Sequence, residues 1–145
     1  MIGKVKHLYL CSNRPGAENY RLAGPRPAGQ PAPEHLDWDL WQGPAPRRPY
    51  RDNVVHYNWH WFWDTSTTEF GNNGIYRMDG ARWAMGIDTH PVKVHCSGGL
   101  YGRKDDQEVP NVLSAIYEYE DGRIIQNEVR SLYTNPEGVT PHNNT

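Results

Sequence analysis

Proline is the feature that most restricts how this chain can fold. Eight of its 12 prolines lie between residues 13 and 53, and a proline has no N–H to donate to a helix or a β-ladder. The same region nevertheless carries apolar side chains that require burial, among them Trp38, Trp41 and Tyr50. We therefore expect a long extended arm that lies over the domain, with a short helical turn at residues 37–42.

Regular elements are predicted on both sides of this arm. Alternation of side chains predicts strands at residues 5–11 and 91–102. Residues 71–86 read as a helix that ends near Gly86, with Asn72 or Asn73 as its N-cap. The segment NVLSAIYEYEDGRIIQNEVRSL predicts a β-hairpin around a two-residue type I′ turn, Asp121-Gly122.

The hairpin register determines what the predicted sheet can contact. With a two-residue turn, Glu118 lies opposite Ile125 and Ser114 opposite Val129, and both faces of the sheet are mixed in polarity. A mixed sheet suits a helix on one face and a partner chain or water on the other. The element order predicts an α+β fold: a largely antiparallel sheet with one main helix packed on one face and a long Pro-rich arm.

Composition argues against several classes of protein. A net charge of −2 provides no basic surface for nucleic acid, and a mean hydropathy of −0.86 argues against a membrane protein. Cys11 and Cys96 lack CxxC spacing, and MIGKVKHLYL does not read as a signal peptide. We therefore expect a reduced, cytoplasmic protein without nucleic-acid or membrane partners.

Three stretches carry candidate chemistry. His56 and His60 have a metal-ligand spacing if helical, but no third ligand accompanies them, so we expect no metal site. Trp59, Trp61 and Trp63 suit either a core or a platform for sugar rings, and we expect two of the three in the core. The charge run GRKDDQE (102–108) suits a solvated loop or, alternatively, a polyol contact.

The predicted helix raises the sharpest functional question. Asn72, Tyr76 and Asp79 follow one another at spacings of three and four, so they share one face of a regular helix. That face could be a reaction site, a former reaction site or the polar side of an ordinary amphipathic helix.

Several segments together resemble a known family: IGKV, NRP, LDWDLWQGPAPRRPY, NWHWFWD, GNNGIYRMDGARW and SGGLYGRKDDQEVPN. In order and spacing they resemble the C-terminal substrate domain of the Gfo/Idh/MocA family of NAD(P)-dependent sugar and cyclitol oxidoreductases. The resemblance implies such a domain over residues 1–135, incomplete at both ends, and leaves residues 136–145 as a flexible polar tail. It also implies that the Rossmann domain for NAD or NADP lies before residue 1, so we expect no cofactor in this chain.

The resemblance bears on the helix as well. Family members similar to this one usually read G-D-x-G-x-H-x-x-D there, and their histidine transfers the proton of the substrate hydroxyl. Asn72 and Tyr76 stand at the Asp and His positions, whereas Asp79 is retained. Free histidine titrates near pH 6.5 and free tyrosine near pH 10, so a tyrosine accepts protons poorly at neutral pH. The resemblance thus implies a former reaction centre.

We therefore expect a substrate-binding and oligomerisation domain of a sugar or cyclitol oxidoreductase, inactive on its own. One alternative is a non-catalytic sugar- or polyol-binding module, lined by Asn58, Trp59, Trp63, Asn73, Tyr76 and Asp79. Another is a self-associating structural domain that uses an exposed sheet face around Tyr117, Tyr119 and Ile124. Expected partners are a second copy of the chain at the open sheet face, a sugar or cyclitol, and a nucleotide-binding domain on another chain.

Overall fold

The computed structural model describes residues 3–13, 29–102 and 104–130. Its strands are β1, His7–Asn13; β2, Lys93–Gly99; β3, Val112–Glu118; and β4, Ile124–Arg130. Its helices are α1, Trp38–Gln42, and α2, Ile75–Met85. A 3₁₀ turn spans Asn58–Trp61, and a π-helical turn, Phe70–Gly74, leads directly into α2. The prediction of an α+β fold with one main helix is confirmed.

The sheet is mixed, so the prediction of a largely antiparallel sheet is wrong. The strand order is β1-β4-β3-β2, with β2–β3 and β3–β4 antiparallel but β1 parallel to β4. Two neighbouring parallel strands need a long connection. Here the connection from β1 to β4 includes α1, α2, β2 and β3. Alternation of side chains along a strand indicates its faces but not its direction in the sheet.

The hairpin between β3 and β4 forms, but its register differs by one residue from the prediction. The Tyr119 N–H donates to the Arg123 carbonyl at 3.0 Å, which leaves a three-residue loop at 120–122. Gly122 occupies the left-handed position of that loop, with φ of 78°. Glu118 therefore lies opposite Ile124 rather than Ile125. A slip of one residue moves every β4 side chain to the other face.

The corrected register places the buried apolar side chains of β3 and β4 on one face of the sheet. The face that α2 covers is largely apolar; on it lie Leu8, Leu10, Leu113, Ala115, Ile125 and Val129. The opposite, open face carries Tyr9, Ser114, Gln126 and Glu128. The predicted self-association surface changes accordingly, because Tyr119 is buried and Tyr117 packs against the same core as α2. Of its three residues only Ile124 faces the open side, and oligomerisation itself stays a prediction.

Helix α2 ends as predicted but begins differently. Gly86 adopts a left-handed conformation, with φ of 60°, and its N–H bonds to the carbonyls of Arg82 and Trp83. Asn72 and Asn73 do not cap the helix, because they lie inside the π-helical turn that precedes it. Their side-chain amides instead donate to the buried carboxylate of Glu69, at 3.2 and 2.6 Å.

Two apolar clusters hold the described chain together. The sheet cluster lies between α2 and the covered face; its buried members are Ala81, Met85, Ile87, Tyr119 and Ile125. The arm cluster consists of Val54, Trp61, Phe62 and Val109, with Trp38 and Trp41 packed against it. Asp37 caps α1 by accepting from the Leu40 N–H, so the predicted short turn at 37–42 forms. Residues 14–28 of the predicted arm and the predicted tail at 136–145 lie outside the described residues, so a single continuous arm stays a prediction.

The open face carries a hydrogen-bonded carboxylate that makes stability depend on pH. Tyr9 Oη donates to Glu128 Oε2 at 2.5 Å, and Arg130 Nε donates to the same oxygen at 3.0 Å. Burial alone would raise the pKa of the Glu128 carboxyl, but these hydrogen bonds outweigh it and hold that pKa below the ordinary value of 4.5. Its stabilising contribution is therefore complete above the unfolded-state pKa and is lost as pH falls through the lower folded-state pKa.

We expect Glu128→Gln to lower the free energy of unfolding by about 1 to 2 kcal/mol at pH 7, because hydrogen bonds to a charged group are lost. At pH 3 the loss shrinks, since this pH lies below the ordinary pKa of 4.5 that the carboxyl has when unfolded, and the stabilising contribution is declining there. Urea denaturation at both pH values measures the difference. Glu120→Gln, which changes an exposed carboxylate, is the matched control and should show no such dependence. Equal losses for Glu128→Gln at the two pH values would contradict this account.

Candidate functional site

A cleft of about 520 Å³ opens at the start of the main helix. We call it the tryptophan cleft, because Trp59 and Trp63 line it together with Tyr76. Its remaining lining is polar or small; these residues are Asp64, Thr65, Ser66, Thr67, Thr68, Gly71, Asn72 and Ile75. The cleft therefore combines aromatic side chains with a run of hydroxyl groups.

The segment NWHWFWD (58–64), which we call the aromatic run, buries its middle, and its outer tryptophans face the cleft. Trp61 and Phe62 enter the arm cluster, where Phe62 is 0% exposed. Trp59 and Trp63 keep 38% and 56% of their surfaces exposed. The expectation of two core tryptophans among the three is wrong, because the 3₁₀ turn and the extended Phe62 place two successive residues, 61 and 62, in the core.

Residues of the proline-rich segment and of the charge run after β2 contact residues that line the cleft. Glu108 accepts a hydrogen bond from the Trp63 N–H at 3.0 Å, and Arg48 forms an ion pair with Asp64. The Arg48 guanidinium also lies 5.3 Å from the centre of the Phe62 ring. Asp106 accepts from the Asn53 amide at 2.8 Å. Two acidic residues of GRKDDQE therefore contact the proline-rich segment and the aromatic run, and none of the described residues of GRKDDQE lines the cleft.

The four hydroxyl residues at 65–68, which we call the hydroxyl run, make local hydrogen bonds to the backbone. Ser66 Oγ accepts from the Thr68 N–H at 3.1 Å, and Thr68 Oγ1 accepts from the Phe70 N–H at 3.2 Å. Thr68 has a φ of 69°, a conformation that β-branched residues rarely adopt. A Cβ at position 71 would collide with the Thr67 hydroxyl, so Gly71 permits this close approach. Sequence reasoning missed these residues, although the run TSTT directly follows the tryptophan motif.

Four of the predicted site residues come together in the tryptophan cleft: Trp59, Trp63, Asn72 and Tyr76. The other three do not line it. Asn73 is bound to Glu69, and Asn58 is half-buried within the 3₁₀ turn. Asp79 lines a second cavity, which lies between α2 and the sheet. The predicted face of Asn72, Tyr76 and Asp79 is thus divided between two concave surfaces.

The second cavity measures about 410 Å³, and we call it the helix–sheet cavity. Phe70, Gly74, Ile75, Met78, Asp79, Arg82, Thr89, His90, Pro91, Tyr117, Tyr119 and Asn127 line it. Among the described lining residues, Ile75 alone borders both cavities. The two cavities therefore differ in nearly all of their lining.

The lining of the tryptophan cleft limits its chemistry. Among its described residues Asp64 is the one that carries a charge at neutral pH, and Arg48 balances it. Aromatic rings and hydroxyl groups can pack against a ring and exchange hydrogen bonds with its substituents. Cationic groups that would bind a dinucleotide diphosphate are absent from this described lining, and none of the described strands leads through a G-x-G-x-x-G turn into a helix. These residues therefore do not fit NAD or NADP.

The two histidines of the candidate metal pair differ in burial. His56 is exposed and His60 is buried, with Nδ1 donating to the Tyr57 carbonyl at 2.6 Å. Within residues 3–13, 29–102 and 104–130, no three His, Cys, Asp or Glu side chains converge on a possible metal position. The helices found there are also too short or too polar to cross a bilayer.

Comparison with known proteins identifies the family of this domain. The model described as "Oxidoreductase family, C-terminal alpha/beta domain", GFO_IDH_MocA_C2, matches residues 23–132. Curated proteins gave no match to the chain. The matched region contains the described part of the proline-rich segment, the tryptophan cleft, α2 and the three strands β2 to β4. The chain therefore belongs to the Gfo/Idh/MocA oxidoreductase family, as a C-terminal domain of that family.

Proposed function

We propose that this domain binds a neutral sugar or cyclitol in the tryptophan cleft and supplies no histidine there to accept the proton for its oxidation. The observation that carries the proposal is the pair of partly exposed tryptophans beside a run of four hydroxyl residues at 65–68. The C–H faces of a sugar ring pack well on aromatic planes, and its hydroxyls require polar partners around the edge. The cleft supplies both.

The charge balance favours a neutral ring over an anionic one. A phosphate or uronate group would bring a negative charge beside the Asp64 carboxylate. Arg48 already pairs with that carboxylate, and it does not line the cleft. Placing an uncompensated charge in a cleft is unfavourable because the charge loses hydration without gaining a partner. We therefore expect sugar phosphates to bind more weakly than the parent sugars.

Catalytic inactivity is the second part of the proposal. Removing hydride from a carbinol carbon requires a nearby group that accepts the hydroxyl proton. Tyr76 and Asn72 line the cleft at the positions where the family motif resembled here has His and Asp. In the described lining, histidine is absent. The domain therefore acts as the sugar-holding half of an oxidoreductase, and NAD or NADP belongs to a separate nucleotide-binding domain.

Calorimetric titration with D-glucose, D-xylose and myo-inositol tests the proposal. We expect at least one of them to bind with millimolar or better affinity. Trp63→Ala should weaken binding by about tenfold or more, because a tenfold change corresponds to about 1.4 kcal/mol, the scale of a stacked aromatic contact. Trp83→Ala is the matched control, because Trp83 is 82% exposed on α2 but does not line the cleft.

Two further measurements complete this test. Glucose 6-phosphate should bind more weakly than glucose, and incubation with NAD⁺ or NADP⁺ and the bound sugar should yield no reduced cofactor. Flat titrations with all three neutral ligands would remove the binding proposal. Equal losses in Trp63→Ala and Trp83→Ala would remove the cleft as its location. Turnover by the purified chain would disprove the inactivity.

A further inference from the structure

The helix–sheet cavity differs chemically from the tryptophan cleft. Its walls are mainly apolar or aromatic; they include Phe70, Ile75, Met78, Pro91, Tyr117 and Tyr119. Small-molecule sites typically combine such walls with a few polar groups that orient the ligand. At about 410 Å³ this cavity falls within the usual size range for them.

Two polar groups at this cavity are buried without partners in the described part of the chain. Asn127 is 2% exposed, and its Oδ1 accepts no hydrogen bond there. Arg82 Nε is likewise buried and donates none. Since the large majority of buried polar atoms in folded proteins are hydrogen-bonded, this acceptor and this donor are available to a polar ligand in the cavity.

The same cavity presents two opposite charges that do not neutralise each other. Asp79 and Arg82 are three residues apart on α2, a spacing that places side chains on the same side of a helix. Both line the cavity, yet no ion pair within 4.0 Å involves either of them in the described ranges. His90, Tyr117 and Tyr119 are the other titratable groups of the lining. A ligand that carries both charges would satisfy Asp79 and Arg82 together.

We propose that the helix–sheet cavity binds a free α-amino acid with a large apolar side chain. Its carboxylate would accept hydrogen bonds from the Arg82 guanidinium, and its ammonium would donate to the Asp79 carboxylate and to Asn127 Oδ1. Its side chain would pack among Met78, Tyr117 and Tyr119. The inference is independent of sugar binding, because Asp79, Arg82 and Asn127 do not line the tryptophan cleft.

Three related probes test the charge requirement. Titrated into the whole chain, L-phenylalanine should bind, whereas phenylacetate, which lacks the ammonium, and 2-phenylethylamine, which lacks the carboxylate, should each bind at least about tenfold more weakly. Absence of L-phenylalanine binding at about 10 mM, where a millimolar site would be nearly saturated, overturns the proposal. Equal affinity for the three probes overturns it too, because it would indicate an apolar slot without charge recognition.

Two conservative variants assign the charges to their residues. Asp79→Asn should weaken L-phenylalanine binding about tenfold or more and leave phenylacetate affinity unchanged. Arg82→Gln should weaken L-phenylalanine similarly and leave 2-phenylethylamine affinity unchanged. Both residues retain contact with solvent, and circular dichroism with thermal unfolding verifies that each variant folds. A uniform loss for all probes would contradict the assignment. Asp79→Asn should not alter myo-inositol binding, so this proposal and the sugar proposal can fail separately.

Discussion

Replacing Phe62 with alanine is expected to lower the free energy of unfolding by about 3 to 5 kcal/mol, the range for an aromatic residue removed from a core. Phe62 is fully buried in the arm cluster beside Trp61 and Val109. Its ring also lies beneath the Arg48 guanidinium, which in turn pairs with Asp64. The total stability of a typical domain is about 5 to 15 kcal/mol, so the loss would remove a substantial fraction of it.

Urea denaturation followed by tryptophan fluorescence measures this loss. Trp63→Ala is the matched control. The Trp63 side chain is next to Phe62 in the sequence but faces the cleft, so its removal should change the free energy of unfolding by less than about 1 kcal/mol. The two variants therefore separate stability from sugar binding at adjacent positions. A loss below about 1 kcal/mol for Phe62→Ala would show that the arm cluster is not a core.

Replacing Ile125 with alanine should cost about 2 to 5 kcal/mol. Ile125 lies at the centre of the sheet, with Leu8 of β1 opposite on one side and Tyr117 of β3 on the other. It is fully buried in the sheet cluster together with Met85 of α2. Deleting its side chain leaves a cavity between helix and sheet, where neighbours on three elements restrict collapse.

Ile124→Ala is the control for this second variant, and it tests the hairpin register as well. Ile124 lies on the open face and is only partly buried, so its loss should cost markedly less than that of Ile125. In the two-residue-turn register the order would be reversed, since Ile125 would share a face with Glu118. Urea midpoints of the two variants decide between the registers. A larger loss for Ile124→Ala would contradict the three-residue loop.

The strands and the main helix could be predicted because alternation and helical spacing are local properties. The hairpin register could not, since a glycine after an aspartate suits both a type I′ turn and the left-handed position of a three-residue loop. The choice depends on which register buries Ile125 and Val129 beneath α2. Likewise, the parallel pairing of β1 with β4 depends on tertiary packing. No sequence pattern within residues 7–13 predicts the direction of that pairing.

The candidate site was partly predictable for similar reasons. Trp59 and Trp63 lie on either side of the buried pair Trp61 and Phe62. Asn72 and Tyr76 lie near the start of α2. The two motifs therefore predicted four residues that line one cleft. Asp79 lies seven residues beyond Asn72, an advance of about 10 Å along a helix, which carries it past the cleft. The π-helical turn at Phe70–Gly74 also changes the angular spacing that a regular helix would give.

The neighbour relation of β1 and β4 has a consequence for how the chain acquires its structure. His7 pairs with Ile124 and Cys11 with Glu128, so the first described strand cannot complete its pairing until the last described strand has been synthesised. Contacts between such distant positions form slowly, because a large loop must close before they contribute stability. Until β4 is synthesised, β1 presents an unsatisfied edge to other molecules, and nascent chains interrupted before residue 124 should be prone to aggregate.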